Sequence, residues 1–97
     1  MTINEAYNII SQSVKSLAAS GVIDTEFDTE MSTVLLGTGA ALDSIGLITL
    51  LSDVEERVSD VSGRELYLVL GDIHDFNEDK QNLTVETLAG YIEKITA

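Results

Sequence analysis

Three segments of this chain space their apolar residues at helical intervals, and 97 residues supply only one core in which to bury them. In the first, Ile3, Ala6, Tyr7, Ile10, Val14 and Leu17 recur at three- and four-residue steps and so share a face. Thr2 and Glu5 have the spacing of a capping box at its start, and Gly21 suits a stop that needs a left-handed backbone. The second, opening at Asp43 or Ser44, carries the stripe Leu47, Leu50, Leu51, Val54 and Val58. Asp43 is a good N-cap there, and its charge suits the positive end of the helix dipole. Thr84 caps the third, which has Val85, Leu88, Ala89, Ile92 and Ile95 inward. Since only 5% of residues are aromatic, Leu, Ile, Val and Ala must build the core.

The segments between these stripes lack a period. Residues 22–42 mix Asp24, Glu26, Asp28 and Glu30 with Phe27, Met31, Val34, Leu35 and Leu36, and read as a long loop. A connection of that length needs either a hidden helical turn or apolar anchors to pin it. Leu66 to Leu70 is a short apolar run, expected to be an extended or irregular connector that plugs the core. Asp72 to Lys80 has room for a short helix with Ile73 and Phe76 facing inward. The fold expected is therefore all-α: one domain over residues 1–97, a small up-and-down bundle of three main helices plus a short helix before the last, with a long loop between helices 1 and 2.

Charge narrows the partners. Seventeen Asp and Glu against five Lys and Arg give a formal net charge of -12, which repels nucleic acid and anionic membranes and favours proteins with basic patches. No stretch approaches the roughly 20 apolar residues of a membrane span. Met1 to Glu5 has no basic segment leading into an apolar one, so a cytoplasmic monomer without membrane insertion is expected.

Most enzyme chemistries lack residues here. With no cysteine there is no disulfide, thiolate ligand or thiol nucleophile. His74 is the single histidine, a surface residue among Asp72, Asp75 and Glu78 rather than part of a metal site. The acids from Asp24 onward miss the calcium-loop template, with Thr29 where it needs Gly and Leu35 where it needs Glu. Around Ser44 the nucleophile-elbow pattern fails at Leu42, and Gly37-Thr38-Gly39 lacks the third glycine or the lysine of a nucleotide loop. No metal ligand set and no catalytic residue is expected.

Ser44 itself stands apart. At ~100° per residue, Ser44, Ile45 and Ile48 fall well off the buried stripe of their helix, so two large apolar side chains flank the serine away from the core. Either the preceding loop and a neighbouring helix cover them, or a partner does.

Leu42-Asp43-Ser44-Ile45, placed after a long loop at the head of an amphipathic helix in a small acidic domain, resembles the Asp-Ser-Leu/Ile motif of the acyl carrier protein family. The closing helix Thr84-Val85-Glu86-Thr87-Leu88-Ala89-Gly90-Tyr91-Ile92 extends the resemblance over nearly the whole chain. The resemblance implies a non-catalytic carrier of acyl thioesters in fatty-acid or lipid biosynthesis. A phosphopantetheinyl transferase, holding magnesium, would move 4'-phosphopantetheine from coenzyme A onto Ser44. Asp43 would position the helix start, and Ile45, Ile48, Glu55 and Glu56 would face loading and acyl-transfer enzymes with basic patches. An aminoacyl or peptidyl carrier fits the same residues, and an acidic helical adaptor without an arm fits the composition. Gly46 and Thr49 stand where many family members carry acids, which points to a dedicated pathway.

An acidic excess of this size predicts self-repulsion. The Tm should rise between low ionic strength and about 0.15 M salt, or on adding divalent cations, and no rise would show the acids to be well accommodated already.

Overall fold

In the computed structural model, which describes residues 1–23, 29–37, 39–77 and 82–97, the chain opens on a reciprocal cap. Thr2 Oγ1 accepts from the Glu5 N–H and Glu5 Oε1 accepts from the Thr2 N–H. The bond from the Thr2 backbone, with that from its hydroxyl, holds the Glu5 carboxyl below the usual range. Helix α1 then runs over Ile3–Ala19, and Gly21 follows it with φ of 78°, the left-handed stop that the sequence requires.

Helix α2 spans Ser44–Ser62 and buries Leu47, Leu50, Leu51, Val54 and Val58, the stripe read from the spacing. It ends at Gly63, again left-handed with φ of 72°. The last helix, here α4, spans Val85–Ile95 behind Thr84, whose Oγ1 accepts from the Thr87 N–H.

Direction follows from which ends meet. Met1 and Glu5 share a surface depression with Val61, Ser62 and Thr96, so the start of α1 lies beside the ends of α2 and α4. Val22 and Ile23, just past α1, line a second depression with Leu42, Asp43 and Ile45 at the head of α2. Helix α1 is therefore antiparallel to both α2 and α4, which run in the same direction, and it packs against each of them.

Two parallel helices oblige the chain between them to climb back. Residues 65–69 do so along the flank of α2. Ser59 Oγ accepts from the Leu66 N–H at 3.0 Å and donates to the Leu66 carbonyl at 3.3 Å, and Glu55 Oε2 accepts from the Leu68 N–H at 2.8 Å. One helical turn of four residues rises about 6 Å, close to the roughly 6.6 Å that two residues of extended chain cover, so both pins close at once. Leu68 is buried and Leu66 half-buried, in keeping with a connector that plugs the core.

Helix α3, Leu70–Phe76, begins two residues before the expected Asp72, and residues 78–80 of the expected Asp72-to-Lys80 segment lie outside the described residues. Ile73 is buried. Half-buried Phe76 meets Tyr91 of α4 edge-to-face at 5.6 Å and lies 5.4 Å from Lys94 Nζ. Buried Asn77 donates from Nδ2 to the Asn82 carbonyl at 2.7 Å, fixing the two ends of that stretch to each other.

The expectation of an all-α chain is corrected by a short antiparallel ribbon. Strand β1, Val34–Leu36, pairs with β2, Leu83–Thr84, in the register Val34 with Thr84 and Leu36 with Leu83, with an irregularity between. The reason is hydrogen-bond demand at the head of α4. Thr33 and Met31 carbonyls accept from the Val85 and Glu86 N–H groups, which a helix start leaves without internal partners. Leu35, fully buried, is the apolar anchor of the long loop. Phe27 and the acids Asp24, Glu26 and Asp28 lie outside the described residues. No described helix is long and apolar enough to cross a membrane.

One polar contact joins α1 to α2 inside this frame. The Ser13 hydroxyl, fully buried, donates to Asp53 Oδ2, which also accepts from Arg57 Nε at 2.7 Å. Partial burial works to raise the Asp53 pKa, but the bonds from Ser13 and Arg57, with the charge of Arg57, outweigh it and hold the carboxyl below the usual range. A depressed folded pKa gives stability that is complete above the unfolded value near 3.9 and is lost as pH falls through the folded one. Asp53→Asn should cost about 1 kcal/mol at neutral pH, and the variant should lose less stability than wild type on acidification below about pH 4. Urea denaturation across that range is the measurement; parallel pH curves would remove Asp53 from the acid transition.

Candidate functional site

The head of α2 is built by two residues that precede it. Asp43 is extended, and its Oδ1 accepts from the Gly46 N–H at 2.6 Å while its carbonyl accepts from the Leu47 N–H at 2.9 Å. Leu42, half-buried, folds over the first turn. A Cβ at Gly46 would stand 3.1 Å from Asp43 Oδ1 and 3.4 Å from Leu42 Cδ2, so the cap and the overlying leucine close onto a position that has no side chain. Gly46 is buried as a result.

Ser44 is the first residue of α2 and is exposed. Its hydroxyl has no hydrogen-bond partner among the described residues, whereas the neighbouring Thr49 hydroxyl is turned back onto the Ile45 carbonyl at 2.8 Å. The Ser44 and Ile45 N–H groups are the two of the first turn that Asp43 does not take. An exposed hydroxyl thus stands beside free donors at the positive end of a long helix. Such an arrangement can hold an anionic group on the serine.

Ile45 is 79% exposed and Ile48 53% exposed, so neither the preceding loop nor a neighbouring helix covers them among the described residues. Ile45 forms one wall of the depression of about 250 Å³ shared with Val22, Leu42 and Asp43. Ser44, Ile45 and Ile48 therefore share one open surface over the first two turns.

The two glutamates are placed differently. Glu56 is exposed, but Glu55 is half-buried and its Oε2 is committed to the Leu68 N–H. Both lie about two turns beyond Ile48, about 10 Å or more along the axis. Ile48, Glu55 and Ser59 fall on one flank of α2 at ~100° per residue, and the connector occupies the part of that flank around Glu55 and Ser59. What stays open of that flank is its first part, around Ile48. This limit was not legible in the sequence, where Glu55 looks like any other acid on a charged face.

Charge reinforces the asymmetry. From Ser16 to Glu56 the chain has no Lys or Arg, while Asp24, Glu26, Asp28, Glu30, Asp43, Asp53, Glu55 and Glu56 all fall within that span. Among the described residues no group of three or more His, Asp or Glu side chains could hold a metal ion. A separate apolar cleft of about 330 Å³ opens between β1 and α3, lined by Leu36, Leu70, Ile73 and Leu83 with His74 and Asn77.

No protein-family model matches the chain, and neither a curated protein nor a solved structure matches it.

Gly46 gives a direct check on this geometry. Replacing Gly by Ala inside an unconstrained helix adds about 1 kcal/mol of stability. Gly46→Ala should forfeit that gain because its methyl crowds the Asp43 cap, leaving the Tm no higher than wild type. A rise of several degrees would show that Asp43 and Leu42 give way freely.

Proposed function

We propose that this chain is a carrier of the acyl carrier protein type, loaded with 4'-phosphopantetheine on Ser44 and presenting acyl thioesters to biosynthetic enzymes. The observation that carries the reading is the exposed, unengaged Ser44 hydroxyl at the head of α2, next to a cap that is already satisfied by Asp43. A residue acted upon by another enzyme needs that accessibility and needs no internal base.

The residues present fit such a group. Ser44 would hold it through a phosphodiester, and the free N–H groups of Ser44 and Ile45 face the place where the phosphate charge would lie. Once attached, the arm supplies a terminal thiol that forms thioesters, which this cysteine-free chain cannot supply itself. Asp43 holds the first turn in one geometry. Its bond to Gly46 keeps that turn wound while the serine is engaged by a transferase that brings magnesium and coenzyme A.

Ile45 and Ile48 supply the apolar part of the docking surface, and Glu56 with the acids of the preceding loop supplies attraction for basic patches. Glu55 contributes through its position behind that surface, tying down the connector. The reading makes the partner surface more apolar than acid-rich at the serine itself, because Gly46 is buried and Thr49 is bonded to its own helix.

Incubation with coenzyme A, magnesium and a broad-specificity phosphopantetheinyl transferase should add the mass of one phosphopantetheine to the wild type and none to Ser44→Ala. Ile48→Ala should slow loading with little change in Tm, since that side chain is half exposed. An intact mass that never shifts leaves the chain an acidic adaptor. The mass of native protein purified with its cargo separates acyl from aminoacyl or peptidyl loading.

A further inference from the structure

The trans peptide places the C=O of one residue and the N–H of the next on opposite sides of the chain, and the connector between α2 and α3 shows where each side goes. The Leu66 and Leu68 N–H groups and the Leu66 carbonyl point to Ser59 and Glu55 on α2. The Glu65 carbonyl, the Tyr67 N–H and the Tyr67 carbonyl must therefore point outward, and continued extension turns the Val69 N–H the same way. None of these four groups has a hydrogen-bond partner among the described residues. They form a strand edge about 13 Å long that belongs to no sheet.

The side chains along this edge suit pairing. Tyr67 is 61% exposed and Val69 51% exposed, while Leu66 and Leu68 face the core. Proteins commonly guard an open edge with lysine, proline or a bulge, and Glu65 to Val69 contains no lysine and no proline. Acids dominate the adjoining chain: Glu65 lies on the edge itself, Glu55, Glu56 and Asp60 on α2 and Asp72 on α3, while Arg64 precedes the edge and Arg57 is bound to Asp53. The charges of Glu65 and Glu55 are felt at the Tyr67 hydroxyl, whose pKa is raised by a bond to Glu65 first and by those charges next.

We propose that the Glu65–Val69 edge is a docking strand for an extended segment of a partner protein in which lysine or arginine alternates with aliphatic residues. Main-chain bonds to Tyr67 and Val69 set its register, its aliphatic side chains meet Tyr67 and Val69, and its cations meet the surrounding acids. A second copy of this chain is a poor occupant, because two bodies of formal charge -12 repel one another. This surface is independent of Ser44, so a carrier and an arm-free adaptor would both possess it.

The test uses the full-length Ser44→Ala protein, so loading cannot contribute, and an acetylated hexapeptide of alternating lysine and valine as the probe. Titration at low ionic strength, followed by amide NMR and hydrogen exchange, should slow exchange at Tyr67 and Val69 by about fivefold or more. The same peptide N-methylated along its pairing edge should bind about tenfold more weakly. Tyr67→Lys should weaken binding about tenfold, and Ile48→Lys, which changes the charge equally away from the edge, should weaken it far less. Equal affinities for the two peptides, equal effects of the two lysine variants, or protection that avoids Tyr67 and Val69 would each overturn the proposal. Sedimentation showing a dimer that Tyr67→Lys dissociates would assign the edge to a second copy and overturn it as well.

Discussion

Helices α2 and α4 run in the same direction on either side of α1, and that single constraint governs the rest of the molecule. Helix α2, 19 residues long, rises about 28 Å, so the chain must recover most of that height before α4 can begin. Extended chain does this in the fewest residues, at about 3.3 Å each, and Glu65 to Val69 are extended for that purpose. Buried polar backbone has to be paired, and Ser59 and Glu55 pair it from the helix alongside. Helix α3 takes up the remaining distance and leans on α4 through Phe76, Tyr91 and Lys94.

The same traffic decides what α2 can show to other molecules. Its core stripe faces α1, and its flank around Glu55 and Ser59 lies under the connector. The opening turns remain free, with Ser44, Ile45 and Ile48 together. Gly46 closes those turns from beneath by letting Leu42 and Asp43 come close enough that a methyl group there would be crowded. A serine placed there is presented rather than enclosed, which is the physical requirement of the carrier function we propose.

The long loop before α2 has a second duty at the opposite strand of the ribbon. Its carbonyls at Met31 and Thr33 complete the head of α4, and buried Leu35 ties it to the core. Loop and last helix therefore stabilise each other, and the loop delivers Asp43 to a fixed place. Ser13, Asp53 and Arg57 add a polar contact between α1 and α2 that leaves no buried side-chain polar atom unsatisfied among the described residues.

The main helices and their caps are legible in the chain itself. The stripes of α1, α2 and α4, the caps at Thr2, Asp43 and Thr84, and the stop at Gly21 depend on residues a turn apart, whose periodicity and capping chemistry are visible in the chain. The same angular count set Ile45 and Ile48 off the stripe, but whether loop or helix covers them was decided in space, where both stand exposed. The tertiary structure alone decided the β-ribbon, the early start of α3 and the role of Glu55. Each joins residues through space: Val34 to Thr84 across 50 positions, Leu68 to Glu55 across the turn after α2. Strands of two or three residues carry no period, and a glutamate on a charged face gives no sign that a backbone N–H will meet it, because those contacts are set by the direction in which the helices pack.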